Sequence, residues 1–147
     1  MANQHNQLIG FKVYDAQRSI FKSLEAALKT YGITPGQWNL LNQLDRAGEL
    51  TQKELAERTR KEQATITRYI DTLERKHLVV RAQHKTDRRA HAVRLTDTAH
   101  ELIATVQPVT IDAAERLIEN VSQEDLDTFV TVLSQLKDNA ERFAQEQ

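Results

Sequence analysis

The chain contains no cysteine, which excludes disulfides, thiolate metal sites and thiol redox chemistry. Its four glycines, Gly10, Gly32, Gly36 and Gly48, are scattered, so no Gly-rich loop is available to cradle a phosphate. No apolar run approaches the length of a membrane span, and no membrane association is expected. The first residues lack the apolar stretch and small-residue cleavage site of a secretory signal, so the expected location is the cytoplasm. No nucleophile motif is present, and the many carboxylates sit on solvated helix faces, mostly near the C-terminus. An enzyme is therefore not expected.

At 147 residues, with 28% charged and 39% hydrophobic residues, the chain is long enough for one globular domain with a buried core. Its net charge of −1 conceals an uneven distribution. Residues 51–100 hold twelve Lys/Arg against seven Asp/Glu, whereas residues 101–147 hold three against ten. The middle of the chain is therefore cationic, as a segment that meets a polyanion would be.

That cationic segment, Thr51 to Thr96, has the most definite local pattern. Thr51-Gln52-Lys53-Glu54 is a capping box, with Thr at the N-cap and Glu three residues on. The helix it opens can run to about Thr59. A second helix begins near Glu62 and buries Ile66, Ile70 and Leu73 on one face. Its first two turns expose Gln63, Ala64, Thr65, Thr67 and Arg68. After His77 the pattern changes to strand, Leu78 to Ala82 and Ala90 to Leu95, around a cationic loop from His84 to Arg89. Helix, turn, helix and basic hairpin make a winged helix-turn-helix. Short polar side chains at a helix N-terminus reach base edges in a major groove, and cations on a loop follow the backbone or the minor groove.

The flanking segments read as helices. Leu8, Phe11, Tyr14, Ile20, Leu24, Ala27, Leu28 and Tyr31 form an apolar stripe that Gly32 ends; residues 1–7 are polar and expected to be frayed. Thr34, Pro35 and Gln37 form a second capping box, with proline at the first helical position. The helix it opens buries Trp38, Leu40, Leu41 and Leu44. Thr96 caps a helix of about 20 residues, whose apolar face includes Ala99, Leu102, Ile103, Val106 and Val109. Pro108 inside it predicts a kink near Ala104 to Pro108 rather than a break. Ser122 starts the last helix, where Leu126, Phe129, Val130, Leu133, Leu136, Ala140 and Phe143 repeat at 3 and 4. These last two helices carry more apolar surface than a small head can cover, so a two-fold homodimer built from the chain's two ends is expected.

These residues resemble the MarR family of transcriptional regulators. The pieces are Ile33-Thr34-Pro35-Gly36-Gln37-Trp38, Leu50 to Glu57 ("LTQxELAE"), Thr65-Ile66-Thr67-Arg68 ("TVTR"), Asp87-Arg88-Arg89-Ala90 and Val93-Arg94-Leu95-Thr96. They occur in family order and spacing, and Glu62-Gln63, Asp87 to Ala90 and the tail after Val121 are most similar to the SlyA branch. The sequence departs at Arg60 and His77, where the family often has Gly, and at Lys61, usually aliphatic. Lacking cysteine, it cannot perform the thiol-based oxidant sensing of some relatives.

The resemblance implies a mainly α fold with a small β-hairpin wing: a winged helix-turn-helix head, residues 33–96, within a helical dimerisation region formed by residues 1–32 and 97–147. It adds a tiny strand near Glu49-Leu50 that pairs with the wing. The implied partner is a double-stranded, pseudo-palindromic operator bound by a homodimer, with repression the commoner outcome. Gln63, Ala64, Thr65, Thr67 and Arg68 are candidates for base contact, and Thr51, Gln52 and Lys53 for phosphate contact. In the wing, Asp87 would pair with Arg89 and hold it for minor-groove insertion, while His84, Lys85 and Arg88 would add phosphate contacts. A small aromatic or carboxylate effector would meet Tyr14, Arg18, Trp38 and Asn42, although Trp38 can equally be core and Arg18 an intersubunit ion pair. Four of the five histidines, His77, His84, His91 and His100, fall in or after the wing. They lack HxH or HxxxH spacing, so neither a metal nor any other cofactor is expected. Two further readings stand beside this one: a winged-helix module that binds protein partners, and an activator that displaces DNA-coating proteins without a ligand.

Overall fold

The computed structural model describes residues 4–83, 86 and 91–147. A single helical turn, α1 (Gln4–Gln7), precedes the long α2 (Ile9–Lys29). The helical conformation thus begins before the apolar stripe, in residues expected to be frayed. A polar composition does not prevent an exposed helical turn, because Gln is a reasonable helix former. Helix α2 ends as expected, with the Gly32 amide bonded to the Lys29 carbonyl at 3.0 Å and Gly32 at φ 69°.

Both capping boxes form. Thr34 Oγ1 accepts from the Gln37 amide and Gln37 Oε1 from the Thr34 amide, each at 3.2 Å. They open α3 (Pro35–Ala47), which places Trp38, Leu40, Leu41 and Leu44 in the core. Thr51 Oγ1 accepts from the Glu54 amide at 3.1 Å, and Glu54 Oε2 from the Thr51 amide at 2.7 Å. This box joins β1 (Glu49–Thr51) to α4 (Gln52–Thr59) with no intervening residue. The left-handed Arg60, at φ 53° and ψ 41°, caps α4 before α5 (Gln63–Arg75). His77 is also left-handed, at φ 59°. Both positions therefore keep the backbone that glycine suits, with larger residues in it.

The wing strands are β2 (Val79–Gln83) and β3 (His91–Leu95), and β1 completes an antiparallel sheet in the order β1-β3-β2. Leu50 lies opposite Val93, and Val79 opposite Leu95. Thr96 anchors the exit from the sheet. Its hydroxyl donates to the His77 carbonyl at 2.7 Å and accepts from the Ala99 amide at 3.1 Å, capping α6 (Asp97–Leu117). Helix α6 continues unbroken through Pro108. The last element is α7 (Gln123–Gln145), whose N-cap Ser122 accepts from the Asp125 amide at 3.1 Å.

The chain divides into two units, one ending at Ala113 and the other spanning Ala114–Gln147. The first holds one continuous core. Leu28, Leu40, Leu41, Leu44, Leu55, Ile66, Ile70, Leu73, Val79 and Val93 are sealed from solvent, together with Ala99, Ile103 and Val106 of α6. Each large aliphatic side chain buried there contributes about 1.5–3 kcal/mol. In the second unit, by contrast, Phe129, Val130, Leu133 and Phe143 of α7 are all exposed. Among the described residues, no helix is long and apolar enough to cross a membrane.

Candidate nucleic-acid interface

The residues of α5 separate by face. Ile66, Ile70 and Leu73 are fully buried and fix the helix against α3, α4 and the sheet. Rotation about the helix then leaves Gln63, Ala64 and Arg68 exposed and Thr65 and Thr67 half-buried. Helix α5 has no side-chain cap at Glu62, so the donors of its first turn are left to solvent or a ligand.

The N-terminus of α4 meets that of α5 through side chains. Gln52 Nε2 donates to Thr67 Oγ1 and, at 3.4 Å, to the Gln63 carbonyl. The Thr67 hydroxyl in turn donates to the Gln63 carbonyl at 2.9 Å. Gln52, Gln63 and Thr67 are thus brought together as one bonded group, and the spacing of the two helix tips depends on it. Arg68 Nη2 lies 3.3 Å from Thr65 Oγ1, a contact that positions the guanidinium on the exposed face without burying it. Lys53 is exposed and Thr51 half-buried in its capping box.

A second link joins α5 to the wing. Arg81 on β2 donates through Nη2 to Asp71 at 2.6 Å and through Nη1 to Glu74 at 2.9 Å. The guanidinium fork therefore spans two carboxylates one turn apart on α5. Sequence reading missed this residue. The signal was available in the i, i+3 spacing of Asp71 and Glu74, but not the strand register that carries Arg81 to them. The wing candidates His84, Lys85, Asp87, Arg88 and Arg89 lie outside the described residues.

The effector candidates fall on two helices. Tyr14 is exposed on α2, with the Arg18 guanidinium carbon 5.9 Å from its ring centre, a cation–π distance. Trp38 is 8% exposed and belongs to the core, and Asn42 Nδ2 donates to its carbonyl at 3.0 Å. A shallow cavity beside Arg18 is lined also by Gln17 and Phe21, and a larger one lies between α2 and the start of α3. Neither is lined by Trp38 or Asn42, so neither brings the four candidates together. Of the histidines on described elements, His100 reaches Asp45 at 3.4 Å, bridging α6 and α3.

Helix α4, a tight turn, helix α5 and an antiparallel wing define a winged helix-turn-helix protein. Residues 31–90 match the MarR family. An uncharacterized HTH-type transcriptional regulator of Bacillus subtilis, YdgJ, is 31% identical over 108 residues, which cover 74% of this chain and 66% of that protein. The match thus spans just under two thirds of that relative's length. AbsC, a MarR family transcriptional regulator from Streptomyces coelicolor, superposes with a TM-score of 0.86 at 22% identity, over 96% of this chain and 97% of its own. A mutant MarR from E. coli, complexed with operator DNA, gives a TM-score of 0.82 at 22% identity, over 92% and 99%. Over residues 31–90 the chain is thus similar to the MarR family, and its whole fold is that of the MarR-family structures.

Proposed function

We propose that the protein is a sequence-specific, DNA-binding transcription regulator that grips a pseudo-palindromic operator as a homodimer and acts in the cytoplasm as a ligand-responsive repressor. The observation that carries this reading is the pairing of two helix N-termini through Gln52, Thr67 and Gln63, with Arg68 and Ala64 exposed beside them. Arg68 suits a guanine, Gln63 an adenine and Ala64 a thymine methyl, while Thr65 and Thr67 can meet either strand. Thr51, Gln52 and Lys53 take phosphate at the α4 N-terminus. Two such heads in a dimer fit half-sites about 34 Å apart. The wing residues His84, Lys85, Arg88 and Arg89, with Asp87 holding Arg89, extend the contact into the backbone and minor groove. The likeness of Glu62-Gln63, Asp87 to Ala90 and the tail after Val121 to the SlyA branch supports reading the protein as a member of that branch.

The test is a mobility-shift series on genomic DNA fragments that the purified protein retains. Arg68→Ala and Arg89→Ala should each weaken operator binding by about 1–3 kcal/mol while the fold persists. Binding should also fall steeply with salt. Unchanged affinity in both variants would remove helix and wing from the mechanism. For the effector, Tyr14, Arg18, Trp38 and Asn42 are the candidate contact residues. A salicylate titration with neither a Trp38 fluorescence change nor loss of DNA binding would count against it.

A further inference from the structure

Along α5, Ala64 and Arg68 lie between two flanks of the helix. Gln63 and Thr67 stand on one side, Thr65 and Tyr69 on the other. The first flank is bonded to Gln52 at the start of α4, beside the candidate phosphate contacts Thr51 and Lys53. The second meets the first turn of α3. A methyl group placed on Gly36 would lie 2.5 Å from Tyr69 Oη, 2.8 Å from Cζ and 2.9 Å from Cε2. No side-chain carbon tolerates such distances, so the phenol crosses the start of α3 only because residue 36 is glycine.

Tyr69 is half-buried, with its ring packed on the core of the head. Held by the core and by Gly36, the ring has little freedom to turn, which places its hydroxyl. That hydroxyl has no hydrogen-bond partner among the described residues. It is not sealed from water either, because no buried side-chain nitrogen or oxygen among the described residues lacks a partner. A fixed phenol donor therefore reaches the surface one residue from Arg68, unused by the protein's own bonds. Folding alone gives no reason for it, since a phenylalanine ring would pack there without a hydroxyl to satisfy.

A major groove about 12 Å wide holds a helix about 10–12 Å across against both of its walls. With Ala64 and Arg68 toward the bases, the flank at α4 faces the phosphates of one strand, and the flank of Thr65 and Tyr69 faces those of the other. We propose that Tyr69 is a DNA-contact residue whose hydroxyl donates to a backbone phosphate of the strand opposite the one held at the start of α4. This rests on the DNA-binding reading of α5 and extends its grip to both walls of the groove. Gly36 acts through Tyr69, as the residue that lets the phenol reach that wall. A phosphate contact carries no base information, and a neutral donor releases no counterion, so the contribution of Tyr69 is independent of both sequence and salt.

Tyr69→Phe in the full chain tests this, because it removes one oxygen and keeps the packing. Mobility shifts on the genomic fragments that the wild type retains should show affinity reduced about tenfold. The factor should be the same on every fragment, and the slope of affinity against salt should not change. The urea midpoint should be no lower than that of the wild type, since the hydroxyl makes no bond within the protein. Tyr31→Phe, which removes a phenol hydroxyl at another edge of the same core, should leave DNA affinity unchanged. Wild-type affinity in Tyr69→Phe, while Arg68→Ala binds more weakly, overturns the Tyr69 contact and leaves the DNA-binding reading standing. A midpoint that falls together with affinity, or an equal loss in Tyr31→Phe, also overturns it by making the hydroxyl a structural group. A wild type that retains no duplex overturns both.

Discussion

Arg60 occupies the left-handed region because the turn between α4 and α5 is too short for another solution. Its amide bonds back to the Glu57 carbonyl at 3.3 Å, and the Lys61 amide to the Ala56 carbonyl at 3.1 Å. That pairing closes the helix with its last carbonyls satisfied, and it requires positive φ at residue 60. A side chain with a Cβ costs about 1–2 kcal/mol there, while glycine returns about 0.5–1 kcal/mol of that through unfolded-state entropy. Arg60→Gly should therefore stabilise the protein by about 0.5–1 kcal/mol, raising the urea midpoint without changing the slope. A lower midpoint would mean that the arginine side chain makes a stabilising contact larger than the backbone strain. The departure from the family's glycine was visible in the sequence. That the backbone keeps the left-handed turn was not, because a residue's identity does not fix its φ when neighbouring hydrogen bonds can impose it.

At the level of elements, the wing is held to α5 by the Arg81 fork as well as by the core. Exposed ion pairs are generally worth 0–1 kcal/mol. Here one guanidinium, 31% exposed, meets two carboxylates at once, so the upper part of that range applies. Arg81→Ala should cost about 1 kcal/mol, and Arg81→Lys should not recover it, because a single ammonium cannot span both acids. Chemical denaturation of the two variants, with the loss diminishing at high salt, is the check. Equal stability of the lysine variant and wild type would reduce the fork to a simple charge contact. The elements themselves were largely legible. Two capping boxes, the 3-and-4 spacing of Ile66, Ile70 and Leu73, and the change to β-branched residues after His77 each mark a boundary through local chemistry. What local chemistry cannot report is side-chain bonding across elements. Gln52 reaches Thr67 fifteen residues away, Arg81 reaches Asp71 across the sheet edge, and Lys76 reaches Gly32 across 44 residues. Trp38 shows the opposite limit. A tryptophan beside a polar Asn42 reads equally well as pocket or core from the sequence, and only packing places it in the core.

On the scale of the whole molecule, the apolar residues outside the core have to be accounted for. Phe11 is 71% exposed on α2, and Phe129, Val130 and Phe143 of α7 are each at least 58% exposed. On α7 the residues Leu126, Phe129, Val130, Leu133, Leu136, Ala140 and Phe143 follow helical spacing, so they line one stripe rather than scatter. Scattered single exposures are ordinary on a protein surface, but a continuous row of this length is characteristic of an interface. A two-fold partner formed by a second copy covers such a row with the same row, which is the arrangement a pseudo-palindromic site requires. Placing a charge in the middle of that row should then separate the subunits. Removing one partner from a well-packed interface or burying an unpaired charge costs about 3–5 kcal/mol, so Leu133→Asp should raise the dimer dissociation constant by roughly a hundredfold to several thousandfold. Sedimentation equilibrium reads this directly. The wild type should sediment as a dimer at micromolar concentration and the variant as a monomer with unchanged helix content. Operator affinity should fall with it, because a single head keeps only half of the contacts, whereas Arg68→Ala should weaken DNA binding in a molecule that remains dimeric. A wild type that sediments as a monomer would remove the two-fold geometry, and with it the expectation of paired half-sites.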